Sequence, residues 1–207
     1  MATSSYTDID NQLAWSINSS KYVIRDSWIS LRADTCQTPD GVSVSPYYIL
    51  EYPDWVSIFA IDTNNNLLLT REYHHGAGLV ALGLPGGAQE ERDSDATAGA
   101  IRELREETGF KPGQLINLGW VWTNWGNHTN RIYSFLATNC TPSDPQKLDP
   151  SEAIRVKQVP LNTFRSEHLE QGYHRLNAMM ALEYLQRERE ANAPVQAKRH
   201  RGSPEPL

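Results

Sequence analysis

Leu84-Pro85-Gly86-Gly87-Ala88-Gln89-Glu90 and, after a short gap, Arg102-Glu103-Leu104-Arg105-Glu106-Glu107-Thr108-Gly109-Phe110 are the stretches that decide the fold class of this chain. The first is a glycine turn and the second a helix that crowds carboxylates. At about 100° per residue, counted from Ala98, Ile101, Leu104 and Thr108 fall in one arc and Arg102, Glu103, Glu106 and Glu107 in the opposite one. The apolar arc can pack on a sheet, and the other is a face of carboxylates. Glu103 and Glu107, one helical turn apart with like charge, cost a helix about 0.2–0.5 kcal/mol. Only Glu106 has an opposite charge at that spacing, Arg102. Hard oxygen donors with no His or Cys nearby suit Mg²⁺ or Mn²⁺ rather than Zn²⁺. The alternative for a bare Glu-Glu pair is a solvated acidic face. Against it, Asp93, Ser94 and Asp95 offer helix caps and Gly109 a helix stop. Gly86-Gly87 supplies bare backbone that can approach a phosphate or a metal.

The stretch from Gly87 to Phe110 resembles the Nudix box, whose pattern is G, five residues, E, seven residues, then R-E-U-x-E-E-x-G-U, with U bulky and apolar. Arg102, Glu103, Leu104, Glu106, Glu107, Gly109 and Phe110 match its second half. The first half departs: counting from Gly87 puts Asp93 at the Glu position, with one residue inserted. That Glu usually holds the loop to the helix, and Asp93 is the candidate substitute. The flanks, Ser27-Trp28-Ile29 through Pro39-Asp40-Gly41, Glu51 to Val56, Thr70 to Gly76 and Asn130 to Ala137, look like those of ADP-ribose pyrophosphatases.

The resemblance implies Glu103, Glu106 and Glu107 as ligands of Mg²⁺, with Mn²⁺ as a substitute and the Gly86 carbonyl as a further ligand. It implies Arg102 as the residue that orients the carboxylates. A base from a loop after the box would be Glu152, with Asp149 in reserve; an acidic surface loop is the alternative. Trp28, Arg71, His74, Gly87 and Arg131 are the candidate substrate contacts, against core packing for Trp28 and strand-edge solvation for the arginines. The implied reaction is hydrolysis of a small-molecule diphosphate, a nucleoside diphosphate linked to another group, with ADP-ribose as the family default and AMP and ribose 5-phosphate as products. Two departures touch the diphosphate neighbourhood: His74 where relatives often carry Arg, and Gly83 where they often carry Glu before Leu-Pro. They keep open a sugar nucleotide, a dinucleotide or an isoprenyl diphosphate as substrate. A nucleotide-binding module without turnover is the reading from another class. In that subfamily the N-terminal strands commonly help form a homodimer.

At 207 residues and 39% hydrophobic content, the chain can bury one good core with a small appended sheet. Its net charge of −6 argues against nucleic acid as partner. No apolar run reaches the length of a membrane span, and no signal peptide is visible, so a cytoplasmic protein is expected. Cys36 and Cys140 show no metal or disulfide spacing. Lys198-Arg199-His200-Arg201 could be a nuclear address, but a solvated tail is the alternative.

Alternating apolar residues predict strands at 22–25, 28–34, 42–52, 55–62, 67–72, 79–84, 115–123, 130–137 and 153–159. Helices are predicted for the box, for 161–170 and for 173–190. The expected fold is α/β (α+β): a Nudix-type α/β/α sandwich with a mixed sheet, plus a small N-terminal antiparallel β module. The expected division is an N-terminal β module over 1–52, a hydrolase domain over 53–190 and a disordered tail over 191–207.

Overall fold

In a computed structural model, which describes residues 12–192, two sheets carry the chain. The basic run at Lys198 to Arg201 and the rest of the tail from 193 lie outside the described residues. The first sheet is antiparallel, formed by β1 (Ser16–Arg25), β2 (Ser30–Gln37) and β3 (Ser43–Glu51) in that order. The second holds β4 (Trp55–Asp62), β5 (Asn66–His74), β6 (Leu79–Gly83), β7 (Phe110–Lys111), β8 (Gln114–Trp122), β9 (Arg131–Pro142) and β10 (Arg155–Pro160). Its spatial order is β10-β5-β4-β9-β7, with β6 on β5 and β8 on β9. Only β4 and β9 run parallel, with Val56 opposite Tyr133 and Ile58 opposite Phe135. Val56 to Ala60 and Ser134 to Ala137 are buried because both faces of these stretches are covered.

The covering elements are α1 (Ala96–Thr108) on one face and α2 (Gly172–Ala191) on the other. Alternation along β4 divides the core accordingly. Val56, Ile58 and Ala60 pack with Ala100 and Leu104 of α1, and Phe59 and Ile61 pack with Ala178 and Ala181 of α2. The layers are therefore those of the expected α/β/α sandwich. The three-stranded sheet joins the rest through the loop between β8 and β9: Leu50 N–H donates to Asn127 O at 2.7 Å and Thr129 N–H to Leu50 O at 3.1 Å.

The segment predicted as a helix over 161–170 is instead a turn with a 3-10 helix at Ser166–His168. Leu161, Phe164 and Leu169 are buried at a spacing that imitates a helical face. Side chains take over the backbone groups that a helix would need. Thr163 Oγ1 donates to Pro160 O, Arg165 Nη1 to Asn162 O, and His168 Nδ1 accepts from Arg165 N. The strand predicted from 22 starts at Ser16, where the polar run Ser16 to Ser20 pairs with β2. Strand β9 continues to Pro142 to pair with β7. No helix among the described residues is long and apolar enough to cross a membrane.

Candidate active site

Strands β4 and β5 pair only at Ala60–Leu68 and Ile61–Leu67. Further along, the glycine turn takes the edge of β4. Ile58 N–H donates to Pro85 O at 2.8 Å, Val56 N–H to Gly87 O at 2.9 Å and Gln89 N–H to Asp54 O at 2.8 Å. Gly86 has φ +156°, and a Cβ there would collide with the Val56 carbonyl. At Gly87 a Cβ would stand 2.6 Å from Glu103 Oε1. Gly86 is thus required by the approach of β4, whereas a side chain at Gly87 would displace the Glu103 carboxylate.

Helix α1 is capped by Asp95, whose side chain accepts from Ala98 N–H, and stopped by Gly109 at φ 75°. Its polar face is organised by Arg102. The guanidinium donates to Asp93 Oδ1 at 3.0 Å and Oδ2 at 2.8 Å, and to the Ala88 carbonyl at 2.8 Å. Its remaining nitrogen, Nη1, donates to Glu103 Oε1 at 2.9 Å and Glu106 Oε2 at 3.1 Å. Asp93 also accepts from Glu90 N–H at 2.9 Å, so it ties the loop to the helix as the resemblance implied. The bidentate bond to Arg102 holds the Asp93 carboxyl below its usual range.

Glu107 is buried and accepts the Gly86 N–H at 2.9 Å. Burial pushes its carboxyl well above the usual value against that hydrogen bond, and the charges of Glu103, Glu152 and Glu72 add to the rise. Burial likewise pushes Glu103 up to about 7 against the pull of Arg102, with Glu106 and Glu152 contributing. Glu72 on β5 is raised too, by burial first, with His74 opposing and Glu152 adding. Four carboxylates from three segments, Glu103 and Glu107 of α1, Glu72 of β5 and Glu152 of the later loop, therefore act on one another here, with Arg102 the cation beside Glu103.

The segment that brings Glu152 is stitched to the end of α1. Ser143 N–H donates to Gly109 O at 2.8 Å, Lys147 N–H to Glu106 O at 2.9 Å, and the Gln146 side chain to Glu107 O. Asp144 pairs with Arg105 at 2.6 Å. The carbonyls that a helix terminus leaves open are thereby used to anchor this loop. Asp149 N–H donates to Glu152 Oε2 at 2.9 Å.

Among the described residues no three His, Cys, Asp or Glu side chains converge closely enough to grip one ion as they stand. The reason is visible in the contacts: Glu103 and Glu106 are turned onto Arg102, and Glu107 onto Gly86. The donor set still fits a hard divalent cation. It is all oxygen, and burial together with the neighbouring carboxylates raises Glu103 and Glu107, a cost that a bound cation would offset.

The structure therefore gathers Gly86, Gly87, Arg102, Glu103, Glu106, Glu107 and Glu152. His74 lies next to this group, lining a cavity of about 380 Å³ with Trp55, Tyr173 and His174. Arg71 is exposed on β5, opposite Leu82 and Arg155. Arg131 lies over the rings of Trp120 and Trp122, at 4.9 and 5.7 Å, and 3.7 Å from Asp54. Trp28 is 85% exposed between β1 and β2, in the other sheet. Sequence reading missed Glu72 and Tyr173. Tyr173 opens α2, and its phenol is pushed up to about 12 by burial and by the charges of Glu107 and Glu72. A Glu ending an apolar strand run was the one available signal for Glu72; Tyr173 had none.

A NUDIX domain model matches residues 51–180, and a nucleoside diphosphate sugar hydrolase N-terminal domain model matches residues 15–50. The ADP-ribose pyrophosphatase of Bacillus subtilis (strain 168) is 23% identical over 76% of this chain and 85% of its own. The methanol dehydrogenase activator of Bacillus methanolicus is 24% identical over the same shares. A solved structure described as an ADP compounds hydrolase superposes with a TM-score of 0.74 at 20% identity, covering 84% of this chain and 95% of that one. Nudix enzymes use divalent metal ions, in keeping with the oxygen donors found here. A family match over residues 51–180, together with the Arg102-centred glutamate face, shows that the chain belongs to the Nudix family of pyrophosphohydrolases.

Proposed function

We propose that the protein hydrolyses, with Mg²⁺, the diphosphate of a nucleoside diphosphate linked to a second group, ADP-ribose being the default substrate. The observation that carries this reading is the convergence of Glu103, Glu106 and Glu107 of α1 with the glycine turn and with Glu152 of the following loop. The family names of the two matching models and of the Bacillus subtilis relative support the substrate class.

In this reading Glu103, Glu106, Glu107 and the Gly86 carbonyl would hold the cation, which would supply charge neutralisation for the diphosphate and Lewis acidity for water. Arg102 keeps the glutamates oriented while its own position is set by Asp93 and Ala88. Gly87 lets the substrate pass close to the backbone. Glu152 accepts a proton from the attacking water. The water oxygen bonds to one phosphorus, the anhydride bond breaks, and the bridging oxygen leaves on the other phosphate. His74, at the edge of the cavity, contacts the departing half.

The N-terminal sheet supports self-association. Strand β1 is exposed along its whole length and carries Ile17, Tyr22, Val23 and Ile24 at the surface. Light scattering on the full chain should report a homodimer, and deletion of residues 1–50 should abolish it. A monomeric full chain would refute this assembly.

The activity is tested by mass spectrometry of products from ADP-ribose, sugar nucleotides, dinucleoside polyphosphates and farnesyl diphosphate, each with Mg²⁺ and alongside Glu107→Gln. AMP and ribose 5-phosphate from ADP-ribose, absent with the variant, are expected. Absence of product from the whole panel would overturn the reading.

A further inference from the structure

Two arginines share one glutamate of the box helix. Glu106 Oε2 accepts from Arg102 Nη1 at 3.1 Å, and its other oxygen, Oε1, accepts from Arg92 Nη2 at 3.3 Å. Arg92 stands on the loop between the glycine turn and α1, where Glu90 holds it. Its Nε lies 2.6 Å from Glu90 Oε2, and its Nη2 donates to Glu90 Oε1 at 3.1 Å. The loop is closed by Asp93 N–H on the Glu90 carbonyl at 3.0 Å. Each oxygen of Glu106 is therefore engaged by a guanidinium.

The two arginines are not equivalent. The Arg102 side chain is only 13% exposed and also donates to Asp93, Glu103 and the Ala88 carbonyl. Moving it would strand the buried Asp93 carboxylate, and a buried charge left without its partner is costly. The Arg92 side chain is 59% exposed, and both of its carboxylate partners are open to water. An exposed ion pair of this kind is weak, because water replaces either partner at little cost. Arg102 is thus fixed in place, whereas Arg92 can leave Glu106 without stranding a buried group.

A divalent cation and Arg92 compete for the same carboxylate. Arg92 occupies Oε1 of Glu106, and its charge repels a second cation brought to that group. We propose that Arg92 is an exchangeable counter-charge: it neutralises Glu106 in the cation-free protein, gives way when a divalent cation takes that carboxylate, and so sets how tightly the site binds its cation. The proposal rests on the cation reading under the function proposed above. Arg92 acts through Glu106 and is a positioning residue. It lets the carboxylate face fold without a cation, at the expense of affinity for one.

The test is calorimetric titration of Mn²⁺, without substrate, into wild type, Arg92→Gln, Arg92→Lys and Arg105→Gln. Arg92→Gln should bind Mn²⁺ about 3- to 10-fold more tightly, because an exposed ion pair and a repelling charge are both lost. Arg92→Lys keeps the charge and should stay close to wild type. Arg105→Gln removes the same charge from the neighbouring residue of α1, whose partner is Asp144 at 2.6 Å, and should tighten binding less than Arg92→Gln does. The rise in Tm on adding Mn²⁺ should also be larger in Arg92→Gln than in wild type. Both arginines are exposed, so the variants keep the fold. An affinity in Arg92→Gln equal to or weaker than that of wild type would overturn the exchange and leave the hydrolase reading standing. Equal tightening in Arg105→Gln would do the same, since net charge alone would then account for it. No Mn²⁺ binding by the wild type would overturn the cation reading, and the role of Arg92 with it.

Discussion

Glu103→Gln should make the metal-free protein more stable while disabling it. The Glu103 carboxyl is pushed up from 4.5 to about 7 by burial and by neighbouring carboxylates. At about 1.4 kcal/mol per decade of proton affinity, holding it ionised costs the folded chain about 3 kcal/mol. The sign follows from the raised value. The cost is absent below pH 4.5, where folded and unfolded chains both carry the proton, and it is full above pH 7. Gln keeps an acceptor for Arg102 Nη1, which Glu103 engages at 2.9 Å, and removes the charge. A chain of this size gains roughly 2–4 °C in Tm per kcal/mol, so the variant in EDTA at pH 8 should melt about 6–12 °C above wild type. At pH 4.5 the difference should vanish. With Mg²⁺ the wild type should recover stability that the variant does not, and turnover should fall by about 100-fold or more. The measurement is thermal unfolding by circular dichroism at both pH values, with and without Mg²⁺. A variant no more stable than wild type at pH 8 in EDTA, or one whose advantage persists at pH 4.5, would refute the account of a site strained by its own carboxylates.

The buried His174 titrates with the opposite effect: burial pushes it down to about 3, so an unfolded chain takes a proton below pH 6.5 that the folded one refuses. Its contribution is complete above pH 6.5 and is lost as pH falls. The stability gap between wild type and His174→Gln in urea should shrink by about 2 kcal/mol from pH 7.5 to pH 5; a gap independent of pH would show that the ring is not held neutral. Gly86→Ala should cost about 2 kcal/mol or more, because φ +156° and the Val56 carbonyl leave no room for a Cβ and the adjoining ladder bonds must shift. An alanine variant with wild-type Tm would mean that the glycine turn is not pressed against β4.

The identity and polarity of α1 were legible in the sequence because a helix writes its faces within a few residues. The arcs of Leu104 and of the glutamates, the Asp95 cap and the Gly109 stop are all local consequences of the helical period. The strands of the main sheet were legible as short runs of apolar residues. Residues 161–170 were misread because three buried apolar positions carry the same spacing whether they sit on a helix or anchor a turn. What lay outside any local period was decided by tertiary structure alone. Glu72 meets Glu152, and Tyr173 meets Glu107, because β5 pairs with β10 and the head of α2 folds onto β4. Ser57 and His174, separated by 117 positions, bond only because α2 crosses the face of β4 that carries the odd-numbered residues. The sequence by itself thus determined the chemistry on α1, since covalent spacing and helical geometry place those groups. Which distant side chains come together around α1 was decided by packing, which no pattern along the chain records.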